Sequence, residues 1–467
     1  MDMCLIRSCR AGLTPWVAMA SVLIAVACGS DVGTSPRTPV ATADLATGAN
    51  HALAAEVRVL AAARGITQLN RPARVRPELV RLGRLLAFDK VMSGNRDISC
   101  MSCHQPQFAT GDGRSLPIGT GGVGIGPERV QRNGAVVIPR NSPSAFNLFA
   151  LPSLFWDGRV SLDATGYHTP AGTQLTSEFT RVFEFGSAAA QGMFPVTART
   201  EMRGFGNSNE LARMDDSDFQ GIWAGIMDRL GDIREYRDMF ERAYPGIEFK
   251  KMNFAYATNA IAGFFTQDLS FTDTPWDRFL GGDDRALTKD QLNGAKTFLT
   301  LKCSVCHNGP SFSDGKFHNV ALAQFGPGEG NGPGGNDDFG RMNVTGLTSD
   351  KYSFRTTPLR NVDLTGPYGH AGQFATLRGF IAHYSRSDDA LRNYDVSQVN
   401  PASLRPTLIH DAADILATRD TLLNGVVLTD SLIDQLTVYM SALTDPAARN
   451  LNRLVPRRVP SGLPVDR

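Results

Sequence analysis

Apolar positions in this chain recur mostly at helical spacing, and no stretch alternates strongly in the way a half-buried strand does. Leu79, Leu82, Leu85 and Leu86 share one helix face in a segment that begins near Pro77. Leu292, Ala295, Phe298 and Leu299 form a second stripe, opened by the capping box Thr288-Lys289-Asp290-Gln291. Ile222, Trp223, Ile226, Met227 and Leu230 mark a buried stripe in a helical stretch over 207–245. Leu432, Leu436, Tyr439, Met440 and Leu443 mark a last amphipathic helix, and His51 to Arg64 predicts another, stopped at Gly65. Gly83 and Gly294 hold comparable places in their helices, where a missing side chain lets a second helix or a bound group come close. Between the helices lie two long Gly- and Pro-punctuated segments, 108–145 and 322–340, of a length that usually carries function. The pattern predicts an all-α fold with long loops.

Length and charge narrow the picture further. The 467 residues suffice for two or three domains, and 42% hydrophobic against 20% charged residues describes a mostly globular chain. A formal charge of +1 offers no case for nucleic acid or a membrane surface as partner. Arg7 and Arg10 precede an apolar run from Leu13 to Ala27, too short to span a bilayer and suited to a secretory signal. Ala25-Val26-Ala27-Cys28 resembles a lipoprotein cleavage site, with Cys28 as the lipid anchor, and ordinary cleavage after Ala27 is the alternative. Both readings place the mature chain in the periplasm. Residues 29–50 read as a tether, and the basic, Pro-rich residues after Asn450 as a surface tail.

The chemistry lies in the cysteines. Cys100-Met101-Ser102-Cys103-His104 and Cys303-Ser304-Val305-Cys306-His307 both read C-x-x-C-H, the attachment signature of c-type haem. Two thiols about one helical turn apart reach the vinyl groups on one haem edge, and the next imidazole becomes the proximal iron ligand. Of seven cysteines, Cys4 and Cys9 lie in the signal, Cys28 ends it, and four belong to these motifs. No pair remains for a disulfide. The expectation is two covalently bound haem c groups in two cytochrome-c-like domains. A signal over 1–28 and a tether with leading helix over 29–75 precede haem domains at 76–270 and 271–450, and the tail is 451–467.

Beyond the two motifs, the chain resembles the bacterial dihaem cytochrome c peroxidase/MauG family from about Arg76 to Asp445. Leu82 to Asp89 with Ile98-Ser99-Cys100 is similar to the family's entry to its first haem. Arg140-Asn141-Ser142-Pro143, Leu154 to Arg159, Phe354 to Val362 and Thr365 to Gly372 are similar to further signatures, in the family's order. The resemblance implies that the His104 haem meets hydrogen peroxide and the His307 haem transfers electrons from a small redox protein or another donor. In many relatives a histidine in the loop after the first motif caps the peroxidatic haem. Here Leu116 to Gly126 holds no histidine, and the closest later one is His168, so an open haem is expected.

The resemblance also assigns roles across Gln191 to Met202. Glu201 is implied as acid and base, Gln191 as a hydrogen-bond donor to peroxide, and Pro195 as a shaper of the pocket. Trp156 is implied to carry electrons between the haems. The second ligand of the His307 haem, a methionine in many peroxidases, aligns with Tyr384, and Met342 and His383 are the alternatives. Asn141, Thr365 and Pro367 match the family's Ca²⁺ site, whose oxygen-only donors suit that ion. The function so implied is peroxide reduction. MauG-like oxidation of a protein or small molecule through high-valent haem, and a plain dihaem electron carrier, are the alternatives.

Overall fold

The structure, a computed structural model, describes residues 41–467 apart from Asn133. The signal, its Cys28 and the first part of the tether lie outside the described residues. Two helix pairs organise the rest. Pro77–Phe88 starts with Pro at its first turn, where the missing N–H costs nothing, and buries Leu79, Leu82, Leu85 and Leu86. Its partner is Phe254–Asp268. A Cβ on Gly83 would stand 1.8 Å from the Ala260 carbonyl oxygen, so the two backbones touch there.

The second pair repeats the first. Lys289–Thr300 carries the expected capping box, with Thr288 and Gln291 each bonding the other's backbone, and packs against Asp430–Ser441. A Cβ on Gly294 would lie 2.2 Å from the Gln435 carbonyl oxygen. Both glycines therefore mark helix-to-helix contact.

Each pair carries its own apolar core. One gathers Leu79, Leu82, Trp223, Phe240 and Phe264; the other gathers Trp276, Phe279, Phe298, Phe312 and Tyr439. The Ala41–Ala63 helix adds Ala54, Val57 and Ala61 to the second core and stops before Gly65, whose φ is +63°. It starts earlier than the sequence predicts, inside the supposed tether.

Three expectations need correction. The fold is not purely α. Gly122–Val123 pairs with Val130–Gln131, and Phe317–His318 with Phe354–Arg355. Ser153–Leu154, Val160–Asp163 and Gly166–His168 form a three-stranded antiparallel sheet. Strands of two to four residues are too short to show a period of two. The helical stretch over 207–245 is two helices, Phe219–Gly231 and Arg234–Ala243, behind a run of turns. The tail does not lie free. Leu451, Leu454 and Val459 are each 1% exposed and belong to the first core.

Candidate functional site

Both C-x-x-C-H stretches fold as a single helical turn ending at the histidine, Cys100–Cys103 and Cys303–Cys306. His104 N donates to the Cys100 carbonyl and His307 N to the Cys303 carbonyl, each at 3.0 Å. The rings are held alike. His104 Nδ1 lies 3.0 Å from the Thr110 carbonyl oxygen and His307 Nδ1 3.0 Å from that of Phe312. A carbonyl only accepts, so Nδ1 carries the proton and Nε2 keeps its lone pair. Burial lowers both imidazole pKa values and keeps the rings neutral. None of the four thiols is in a disulfide, and burial pushes Cys100 up to about 11 and Cys103 up to about 12.

These donor sets fit covalently bound haem, and the second motif shows the fit most fully. Cys303, Cys306 and His307 line a cavity of about 490 Å³ together with Trp156, Arg355, Thr356, His370 and Tyr384. Arg355 Nη1 and Thr356 Oγ1 are buried there without a partner. Burial lowers the Arg355 guanidinium to about 10. Unpaired donors in a haem-sized hollow suit propionate groups, because a charged acceptor repays their desolvation.

Tyr384 faces this cavity, and burial pushes its phenol well up, with the Cys306 and Cys303 thiols adding to it. The alternatives stand elsewhere. His383 Nε2 bonds the Val320 carbonyl oxygen at 2.8 Å, and Met342 begins a short helix outside the lining. Trp156 Nε1 donates to the Asn141 carbonyl oxygen at 2.8 Å, and the Trp156 carbonyl accepts from Arg355 N at 2.8 Å. Asn141, Thr365 and Pro367 all line the same cavity. Asn141 Nδ2 donates to the Arg114 carbonyl oxygen at 2.8 Å, which turns its own amide oxygen away from that bond.

The first motif has different surroundings. Gln191 ends the Gly186–Gln191 helix, Pro195 follows in a turn, and Glu201 lies in the π-helical turn Arg199–Arg203. The histidine-free loop is pinned onto that turn. Thr120 N donates to the Glu201 carbonyl oxygen at 2.9 Å, and a Cβ on Gly119 would stand 1.8 Å from the Thr200 carbonyl oxygen. Arg129 ties the loop from within, bonding the carbonyl oxygens of Ile118, Gly119 and Gly124 at 2.8 Å each. His168 is far from this role; it sits exposed on a hairpin, 3.0 Å from Asp163.

The Glu201 side chain is 23% exposed, and Arg159 Nη2 lies 3.9 Å from its Oε1. Burial raises its pKa, Arg159 opposes that, and Glu329 adds to it. Its charge is felt by both Cys100 and Cys103. Arg159 is held by Asp157 at 3.1 Å, and Asp157 by Arg140 at 2.5 Å. Arg140 also forks onto Asp338 at 2.6 and 2.7 Å. Arg140, Asp157, Arg159 and Arg355 stand within family-like signatures of the sequence, which give them no role by themselves. Their partners lie up to 200 residues away, and no spacing rule reveals that.

Comparison with known proteins agrees with this geometry. The profile of the family described as di-haem cytochrome c peroxidase matches residues 77–285, which span the first motif through Glu201 and beyond. The chain is 32% identical over 301 residues to the cytochrome c551 peroxidase of Pseudomonas aeruginosa, covering 64% of this chain and 70% of that one. It is 27% identical over 315 residues to the methylamine utilization protein MauG of Methylorubrum extorquens, covering 67% and 70%. Among solved structures, a MauG-like protein associated with microbial copper homeostasis superposes with a TM-score of 0.58 at 24% identity, over 83% of this chain and 95% of that one. The diheme peroxidase BthA from Burkholderia thailandensis gives 0.55 at 20% identity, over 84% and 94%. Those two likenesses speak for the fold. With paired haem-attachment turns, a haem-sized cavity and a relative this similar over most of its length, the chain belongs to the di-haem cytochrome c peroxidase family.

Proposed function

We propose that this protein is a peroxidase that reduces hydrogen peroxide at the His104 haem with electrons passed through the His307 haem. One observation carries the reading. The two attachment turns are alike, yet a partly buried carboxyl of raised pKa, Glu201, accompanies the first and a phenol, Tyr384, the second. The difference suits a division between a reacting and a conducting site.

Cys100, Cys103 and His104 would hold the haem, which would supply the iron chemistry for peroxide cleavage. The chain's part is to bind peroxide and move its proton. Gln191 donates a hydrogen bond to one oxygen, and Pro195 narrows the pocket and keeps water out. Glu201 takes a proton from one peroxide oxygen and returns it to the other, as a group poised between both states can. Arg159 holds the Glu201 carboxylate in place through that exchange. Two electrons and two protons then complete the conversion of one peroxide to two waters. Trp156, bonded to both Asn141 and Arg355, is the bridge through which the electrons arrive.

Residues 76–270 form the peroxidatic half and 271–450 the electron-transfer half, with 451–467 fastened to the former. Asn141, Thr365 and Pro367 hold Ca²⁺ between the halves. The protein works in the periplasm, where the N-terminal signal delivers it, and Cys28 tethers it to the membrane. The donor is a small redox protein. Tyr384 at the second cavity favours a second reading, in which the oxidising equivalents pass to a protein or small-molecule substrate as in MauG.

The test is rapid mixing of the reduced, haem-loaded protein with peroxide. Glu201→Gln should slow the reaction by about 100-fold or more, since positioned proton transfer contributes on that order. An unchanged rate overturns the assignment. Absence of any peroxide reaction in the parent protein leaves a dihaem electron carrier.

A further inference from the structure

Glu201 does not stand alone: the ion-pair chain that reaches it ends at a second glutamate, Glu329, from the other half of the chain. Glu329 lies in the glycine loop that follows the second haem motif. Gly326 of that loop presses on the loop after the first motif: a Cβ there would stand 2.4 Å from Leu116 Cδ1. The loop's shape is set by its own backbone. Glu329 N donates to the Asp337 carbonyl oxygen at 2.8 Å and Asp337 N to that of Asn331 at 3.1 Å. At Gly328, with φ +60°, any Cβ would fall 2.1 Å from the Asn336 carbonyl oxygen. Glu329 is thus presented by a built turn.

Its surroundings form one chain of charge. Glu329 Oε1 is 3.5 Å from Arg140 Nε. Arg140 bonds Asp338 at 2.6 Å and Asp157 at 2.5 Å; Asp157 bonds Arg159 at 3.1 Å; Arg159 reaches Glu201 at 3.9 Å. The short contacts belong to the two aspartates. They absorb the two guanidinium charges, and both have lowered pKa values although burial works against it. Four carboxyls against two guanidiniums leave two in excess, and these are the two glutamates at the long contacts. Burial raises the pKa of each, while Arg140 and Arg159 pull Glu329 back and Asp338 and Asp157 push it further up. The Glu329 side chain is 34% exposed against 23% for Glu201, so it is the one nearer solvent.

We infer that Glu329 is a positioning carboxyl for Glu201: joined to it through Arg140, Asp157 and Arg159, its negative charge strengthens the hold of Glu201 on the proton exchanged with peroxide. With the guanidinium charges absorbed by Asp157 and Asp338, the charge of Glu329 is left to repel that of Glu201 and so favours the protonated form of Glu201. Because the two glutamates come from opposite sides of the second motif, the loop carried by one haem half tunes the proton affinity of the acid in the other. The inference rests on the proposed peroxidatic role of Glu201.

The test uses the haem-loaded protein and two readouts. The first is the pH titration of the Glu201 carboxyl stretch in the resting protein, isolated by infrared difference against Glu201→Gln. Removing a like charge lowers the pKa of the group it repelled, so Glu329→Gln should move the midpoint down by about one pH unit. Glu329→Asp, which keeps the charge, should restore most of the shift. The second is the pH profile of the peroxide reaction, whose acid limb should move to lower pH by the same interval. A midpoint in Glu329→Gln that stays at the parent value overturns the inference, even with normal peroxide turnover. If instead Glu201→Gln leaves turnover unchanged, the peroxidatic role of Glu201 fails, and the infrared midpoint still decides whether the two carboxyls are linked.

Discussion

Ser102, the residue between Met101 and Cys103 of the first haem turn, donates its hydroxyl to Asp466, one residue from the C-terminus. Lys90 Nζ meets the other oxygen of the same carboxylate at 2.6 Å. Five residues earlier, Ser461 Oγ donates to Asp89 at 2.6 Å, and Tyr236 donates to the second oxygen of Asp89 at 2.7 Å. The end of the chain is therefore tied to the helix end and turn that present Cys100 and Cys103. The two anchor points are largely buried, so their hydrogen bonds are worth more than surface ones.

Loss of the Asp466 anchor is the first prediction. Asp466→Ala leaves Lys90 unpaired and takes one acceptor from Ser102, which keeps its bonds to Ser99, and should cost about 2 kcal/mol, the scale of a hydrogen bond to a charged group. Arg458→Ala breaks an ion pair with Glu235 whose side chains are 72% and 37% exposed. That change should cost little or no measurable stability, as for most exposed ion pairs. Thermal unfolding of both variants checks the contrast. Hydrogen exchange of the Cys100–His104 segment should quicken only in the first.

The helix contacts make the second. Gly83→Ala forces a Cβ to within 1.8 Å of the Ala260 carbonyl oxygen, a backbone atom that cannot swing aside. The helices must part, at a cost of about 3 kcal/mol. Gly294→Ala should cost a similar amount through Gln435. Gly65→Ala meets no neighbouring atom and suffers only from its φ of +63°, so its cost should be about 1 kcal/mol. Denaturant titration of the three variants ranks them.

Tyr384 supports a third, spectroscopic prediction. Tyr384→Phe removes the phenol oxygen from the second cavity while keeping the ring, so the fold should hold. The electron paramagnetic resonance signal of the second haem should change, and that of the first should remain as in the parent. A parent-like spectrum for both haems would assign the second ligand to another group.

Acid stability supplies a fourth. Burial works against the Asp157 charge, but Arg140 and Arg159 override it and hold the carboxyl at about 2, below its usual 3.8. A depressed folded-state pKa means the unfolded chain binds the proton first. The stabilisation is present above the usual value and is lost as pH falls from there towards 2. It amounts to about 2 kcal/mol by linkage. Measured from pH 5 to pH 2, the parent should lose stability more steeply than Asp157→Asn, which has no such proton to bind.

Much of the architecture was legible in the chain. The apolar stripe at Leu79, Leu82, Leu85 and Leu86 and the capping box at Thr288 are local patterns, and local patterns survive folding when every level agrees with them. The short sheets were not legible, because strands such as Phe317–His318 exist only by pairing with a segment far along the chain. The place of the tail was hidden for the same reason. Its Pro and Arg residues look solvated, and only the partners Asp89, Lys90 and Ser102 show that it is held.

By itself, the sequence determined the haem chemistry. Two thiols one turn apart and an adjoining imidazole are a covalent arrangement within five residues, and the backbone can build it almost alone. What only the tertiary structure decided is how the two turns differ. Glu329 and Arg140 are linked to Glu201 through Asp157 and Arg159 across loops far apart in the chain, while Tyr384, Arg355 and Trp156 converge on the second cavity. Charge and burial act through space, and a carboxyl's proton affinity depends on neighbours that chain order does not reveal.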